Sequence, residues 1–165
     1  MSMEASNAGG REQQGPSIGA PETSRFATGL ECRIGRARLA IPMTSVDRII
    51  EYKISPLPLA RQWIGGIGVH EGMLVISVAL VAGESHRTRG AFSKGIILNV
   101  ANSQLGWALE VHETFSFVRA TVLPRRKEAD SQLPGWITGA KTDEGRSIGW
   151  IHVPAMLAEL AQLAE

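Results

Sequence analysis

The sequence predicts an all-β fold with minor α, and three observations carry that expectation. Short apolar–polar alternations recur along the chain from Leu30 onward, with the period of half-buried strands. Turn-forming Gly, Pro, Asn and Asp separate them every ~8–12 residues, a spacing that suits a barrel or a sandwich. Only one stretch, at the C-terminus, repeats its apolar residues at helical spacing.

Residues 1–27 differ from the rest. They are rich in Ser, Gly, Glu, Gln and Pro and nearly empty of large apolar side chains. Such a stretch cannot offset the ~1–2 kcal/mol per residue that ordering a backbone costs. It is expected to be a disordered N-terminal tail, followed by one domain over residues 28–165. No repeat at solenoid spacing is present.

Within the domain, Leu30, Cys32 and Ile34 alternate with Glu31, Arg33 and Gly35. Gly35-Arg36 suits a two-residue hairpin turn, because Gly tolerates positive φ. Ala37, Leu39 and Ile41 continue on the return strand. Pro42 is placed to open a short helical turn through Met43 to Val46. Asp47 to Ile54 reads as a strand with Ile50, Tyr52 and Ile54 on one face. Ser55-Pro56-Leu57-Pro58 ends it, since Pro has no N–H for a ladder. Trp63 to Val69 is the next strand, and Gly65, Gly66 and Gly68 within it predict a bend, a bulge or a close backbone approach. His70-Glu71-Gly72 is a turn. Met73 to Val81 is apolar on both parities, which predicts a strand covered on both faces at the centre of the fold.

A polar loop is expected from Ala82 to Ser93. Strands follow over Gly95 to Val100 and Gln104 to His112, joined by an Asn102-Ser103 turn. Phe115 and Phe117 mark another strand, and Pro124 to Gln132 is a charged loop. Gly135 to Ala140 and Ser147 to Val153 flank a turn at Asp143, Glu144 and Gly145. Pro154 opens a helix in which Val153, Met156, Leu157, Leu160, Ala161 and Ala164 form one apolar stripe.

The bulk properties exclude several classes. At 165 residues the chain can bury a core without disulfides or metal. Its 17 basic and 16 acidic residues give a net charge of +1, so nothing calls for a nucleic-acid partner. Cys32 is the only cysteine, which rules out an internal disulfide or a Cys-based zinc site and reads as a small core residue. The longest apolar run, Met73 to Ala82, is far short of the ~20 residues of a membrane helix. No signal peptide is recognisable, so the expected compartment is the cytoplasm, without direct membrane insertion.

Catalytic signatures are missing. No two of His70, His86, His112 and His152 lie three or four residues apart, so none shares a helical turn as in zinc proteases. No Gly-x-Ser-x-Gly elbow occurs. Gly65-Gly66-Ile67-Gly68 lacks the Lys-Ser/Thr ending of a phosphate loop and reads as packing glycines. Asp143 and Glu144 are expected to be solvated in a turn. Arg125, Arg126 and Lys127 sit beside Glu128 and Asp130 without interleaved aromatics, which suits an exposed loop better than a nucleic-acid patch. A binding domain with no cofactor and no catalysis is therefore the expectation.

The order of several segments is more specific than their composition. Leu39-Ala40-Ile41-Pro42-Met43-Thr44-Ser45-Val46-Asp47-Arg48-Ile49-Ile50 is followed by Pro58 and by Trp63 through Leu80. Gly95 to Val100, Gly106 to Val111, Trp136 to Ala140 and Arg146 to Val153 complete the series. This series resembles the CheW-like coupling family of bacterial chemosensory systems, from about Gly29 to Ala164. The resemblance implies two SH3-like β-barrel subdomains sharing a core, with a C-terminal helix. It also implies a non-catalytic adaptor. Its partners would be the regulatory domain of a CheA-type histidine kinase and the cytoplasmic tip of methyl-accepting chemoreceptors, at membrane-associated receptor arrays.

The family's interface positions fall on Val46, Arg48, Gly66, Glu71 and Gly72. Two of them depart from the family pattern. Arg usually precedes the turn glycine, where this chain has Glu71. An acidic residue often stands two positions after the motif valine, where it has Arg48. Both charges are inverted together, so Arg48 and Glu71 are expected to form a charge-swapped ion pair between the strands that carry the docking surface. An exposed pair adds little stability, but swapped charges can reject a standard partner, which points to divergent partner specificity. The alternative is a small β-barrel that binds a ligand or nucleic acid. That reading needs a basic or aromatic groove, and the four Trp residues are scattered along the sequence.

Overall fold

A computed structural model describes residues 26–80, 92–101, 103–124 and 134–162. Residues 1–25 of the expected N-terminal tail, the loop over 82–91, the basic cluster at Arg125-Arg126-Lys127, Asn102 and Ala164 lie outside the described residues, whereas Phe26 and Ala27, expected in the tail, belong to the first strand. Among the described residues, ten strands form two sheets, followed by one helix.

The first sheet is a closed barrel. It joins β1 (Phe26–Ile34), β2 (Ala37–Pro42), β8 (Glu113–Val122), β9 (Ile137–Thr142) and β10 (Ser147–Ile151) in the order β1-β2-β10-β9-β8. Gly35, at φ 59°, makes the β1–β2 turn as its sequence suggests. β1 starts at Phe26, ahead of the alternation seen from Leu30, because Phe26 to Gly29 pair with Thr121 to Val118 of β8. That partner is ninety residues away in sequence and leaves no local signal. The barrel interior is filled by Ala40, Val118, Ala120, Ala140, Ile148 and Trp150. Small residues dominate because the Trp150 ring takes the space. A Cβ on Gly29 would stand 2.8 Å from that ring.

The second sheet contains β3 (Val46–Lys53), β4 (Ile64–His70), β5 (Met73–Val78), β6 (Phe92–Leu98) and β7 (Gly106–Glu110), in the order β3-β6-β7-β5-β4. A single 3₁₀ turn, Met43–Ser45, follows Pro42 and leads into β3. Ile50, Tyr52, Ile54, Val75, Ile97 and Ala108 point inward as a second cluster. The sheet curls until its two edges meet. Ser55, just after β3, exchanges two backbone hydrogen bonds with Ile67 of β4, at 2.8 and 2.9 Å. The expected bulge lies between Ile64 and Gly66.

The middle strand of this sheet is β7 rather than the Met73–Val81 run. β5 pairs in parallel with β7, and Leu74 on it is 43% exposed. An apolar run shows that a strand is largely buried, but it cannot show a crossover pairing made thirty residues later. β6 likewise begins at Phe92, earlier than its apolar residues suggest, because it extends along β3 as far as Lys53.

The two sheets share one core. Leu30, Cys32, Ile34, Leu39 and Ile41 of the first barrel pack with Val78, Ile96, Leu98 and Leu109 of the second sheet. α1 (Val153–Gln162) covers this core with Val153, Met156 and Leu160. Of the predicted stripe, Ala161 is exposed. His152 caps the helix, its Nδ1 accepting the Ala155 N–H at 3.2 Å.

Candidate protein-docking site

The register of the second sheet sets one end apart. β3, β5 and β7 begin there, and β4 and β6 end there. The barrel mouth at this end is a groove of about 360 Å³. Apolar Met73, Ile97 and Leu105 line it together with charged Asp47, Arg48 and Glu71 and polar His70, Asn99 and Ser103.

Two local features bring the charges together. β3 opens with an irregularity between Val46 and Arg48 that sets Arg48 opposite inward-facing Ile97. The guanidinium is thereby aimed over the mouth. Across from it, the β4–β5 hairpin turns on Glu71 and Gly72, at φ 49° and 80°. Positive φ at both central residues is the mirror-image turn that suits a two-residue hairpin. Glu71 adopts it without glycine's freedom, and its carboxylate meets the arginine. Arg48 Nη1 lies 2.9 Å from Glu71 Oε2, and Arg48 Nε lies 2.9 Å from Asp47 Oδ2. His70 Nε2 is 4.0 Å from the same Glu71 oxygen.

The hydrogen bond to Asp47, followed by the charges of Asp47 and Glu71, raises the Arg48 pKa above its usual value. The arginine is a permanent cation. Its side chain is 49% exposed and that of Glu71 70%, so both can exchange partners without stranding a buried charge. The expected Arg48–Glu71 pair is therefore present, and it closes the open end of the β3–β4 seam whose other end is closed by Ser55 and Ile67.

Four of the five sequence-derived positions gather at this end. Val46 stands at the start of β3 beside Leu98 and packs partly into the shared core. Gly72 sits in the turn with open space around it. Gly66 is not part of the groove. It occupies the bulge on β4, where an added Cβ would lie 2.5 Å from both the Ser55 carbonyl and the Ile54 side chain, at φ 152°.

A second charged constellation left no sequence signal. Glu31 was expected on the polar face of a half-buried strand, and that face turns into the first barrel. It is 2% exposed and accepts Arg38 Nη1 at 3.2 Å and both Arg146 Nη atoms at 3.3 and 3.2 Å. Arg38 also stacks on Phe115, 4.2 Å from the ring centroid. Glu144, in the turn expected to be solvated, is exposed and takes Arg146 Nε at 3.1 Å. In the second barrel Ser77 donates a hydrogen bond to Glu110.

His112 Nδ1 accepts the Gly35 N–H at 3.0 Å. No group of three His, Cys, Asp or Glu suited to a metal ion occurs among the described residues. No described helix is long and apolar enough to cross a membrane. Trp136 is buried in the shared core, against which Trp63 and Trp107 pack partly buried, and Trp150 fills the first barrel.

The family model of the CheW-like domain matches residues 28–161. No curated protein sequence matches the chain. Among solved structures, the crystal structure of the scaffolding protein TtCheW from Thermoanaerobacter tengcongensis is similar. It has a TM-score of 0.57 at 15% identity, covering 77% of this chain and 89% of that one. At that identity the likeness concerns the fold, and it extends to the two β subdomains.

Proposed function

The chain belongs to the CheW-like domain family, and from that premise we propose that it is a non-catalytic adaptor of a chemosensory signalling pathway. It joins the cytoplasmic tip of methyl-accepting chemoreceptors to the regulatory domain of a CheA-type histidine kinase, and it works in the cytoplasm at receptor arrays. The observation that carries this reading is the mouth of the second barrel. A groove lined by apolar and charged side chains together has the composition of a protein interface. Of the positions that the family resemblance assigns to docking, Arg48 and Glu71 line it, and Val46 and Gly72 lie at the same end of the sheet.

The ion pair bears on partner choice more than on stability. Rim charges steer encounter and reject wrong partners. With Arg48 on β3 and Glu71 on the hairpin, the mouth presents charges in reversed order. A cognate partner must meet them in that order.

The test is a double-mutant cycle with purified kinase and a receptor cytoplasmic fragment from the same organism. Arg48→Glu sets three carboxylates together at positions 47, 48 and 71, and Glu71→Arg sets two cations together. Each single variant is expected to weaken binding of the groove's partner by about tenfold, and the double variant to recover most of it. Strictly additive losses would remove the pair from the interface.

A further inference from the structure

We infer that the loop between β3 and β4 is a second protein-docking point, at the opposite end of the second barrel from the groove, with Leu59 as its anchor. Leu59 is 104% exposed and holds φ at 62°. The Ala60 N–H donates to the Leu57 carbonyl at 3.2 Å. Pro58 and Leu59 therefore occupy the two central positions of a type II turn, and the second of these ordinarily takes Gly or Asn. Neither backbone sterics nor burial within the chain favours leucine there. A side chain kept in an unfavourable conformation by its surroundings points to a role outside folding.

The loop presents Leu59 rigidly. Pro56 and Pro58 each fix their own φ. The base of the loop is fastened by the two Ser55–Ile67 hydrogen bonds. A pre-organised side chain loses little freedom on binding. Leu57 on the same loop is 39% exposed, and Phe92, which the register sets at the same end of the barrel, 70%. Lys53, the register partner of Phe92, holds its Nζ 5.2 Å from that ring. The partner that fits is a folded protein with a preformed apolar pocket for one side chain and a carboxylate facing Lys53. A lipid surface fits less well. Three side chains bury less than a single acyl chain, which itself anchors only marginally, and lipid has no use for a fixed turn.

This inference rests on the adaptor reading, and it supplies what that reading requires. An adaptor that holds two partners at once needs two surfaces that do not overlap. The strands between groove and loop are six to eight residues long, which separates the two ends by about 20 Å.

The test uses the full chain with the same purified kinase and receptor fragment, and with phosphatidylcholine vesicles containing phosphatidylserine. Leu59→Gly is expected to weaken, by about tenfold or more, the partner that Arg48→Glu spares. The free chain should melt within about 3 °C of the unaltered protein, because glycine suits the turn. Leu59→Asn, which also tolerates the turn, should weaken the same partner. Unchanged binding of both partners, or a loss confined to the partner that Arg48→Glu already weakens, overturns the inference and leaves the groove reading standing. Unaltered protein that binds neither partner overturns both readings. Vesicle binding abolished by Leu59→Gly assigns the tip to lipid and overturns the inference.

Discussion

Cys32 and Glu31 are neighbours on β1 and face opposite ways, one into the shared core and one into the first barrel. Burial, with the Glu31 charge behind it, pushes the Cys32 thiol up to about 12 from an ordinary value near 9. The folded chain thus keeps a proton that the unfolded chain releases, so stability falls as pH rises between those two values. Burial likewise pushes the Tyr52 phenol up to about 12, which steepens the upper part of the fall. Urea midpoints should be level up to about pH 8.5 and decline toward pH 11, and Cys32→Ala should remove the early part of the decline. Iodoacetamide at pH 8 should leave the folded thiol unmodified and alkylate it in urea, since the thiolate is the nucleophile. At this scale the sequence was legible where chemistry was local. A lone Cys on an alternating strand read as core, and two inverted charges read as a pair. Glu31 was not legible, because its partner Arg146 is 115 residues away and alternation alone does not say which face of a barrel strand meets solvent.

The glycines of β4 act at the level of the strand. Gly68 lets β4 approach β3: an added Cβ would stand 2.6 Å from the Lys53 carbonyl and 2.8 Å from the Tyr52 ring. The first contact is backbone and cannot swing aside. Gly68→Ala should therefore push the two sheet edges apart at a cost of about 1–3 kcal/mol, and hydrogen-exchange protection at Ser55 and Ile67 should fall with it. Gly139→Ala is the matched control, because its Cβ would meet only Leu123, at 3.4 Å, and it should be nearly silent in the same measurements. The crowding of glycines on this strand foretold a bulge and a close approach, and both are present. Strand existence and turn positions followed from alternation and from Gly and Pro. Strand order did not, since the parallel pairings of β2 with β10 and β5 with β7 join segments with no local relation.

The whole molecule is held by the core between its two sheets, and that arrangement decides how it unfolds. β1, β2 and β10 contribute from one sheet, β5, β6 and β7 from the other, and α1 adds Val153, Met156 and Leu160. Neither interior cluster is large: each has six buried residues, and three of those in the first barrel are alanines. The shared cluster contains fifteen buried residues, so most of the apolar burial is common property. Met156 sits in it fully buried. Met156→Ala should cost about 2–5 kcal/mol, the transfer of the lost atoms plus the cavity they leave. Because Met156 belongs to the cluster that both sheets share, the loss should appear as one denaturant transition moved to lower midpoint, with slowly exchanging amides of β1 and of β7 released together. Two separate transitions, or protection lost in one sheet alone, would mean that the barrels stand independently and that the helix serves only one of them. With the two proposed docking surfaces at opposite ends of one barrel, the cooperative alternative means that a partner seated at either end would stabilise the same folded unit.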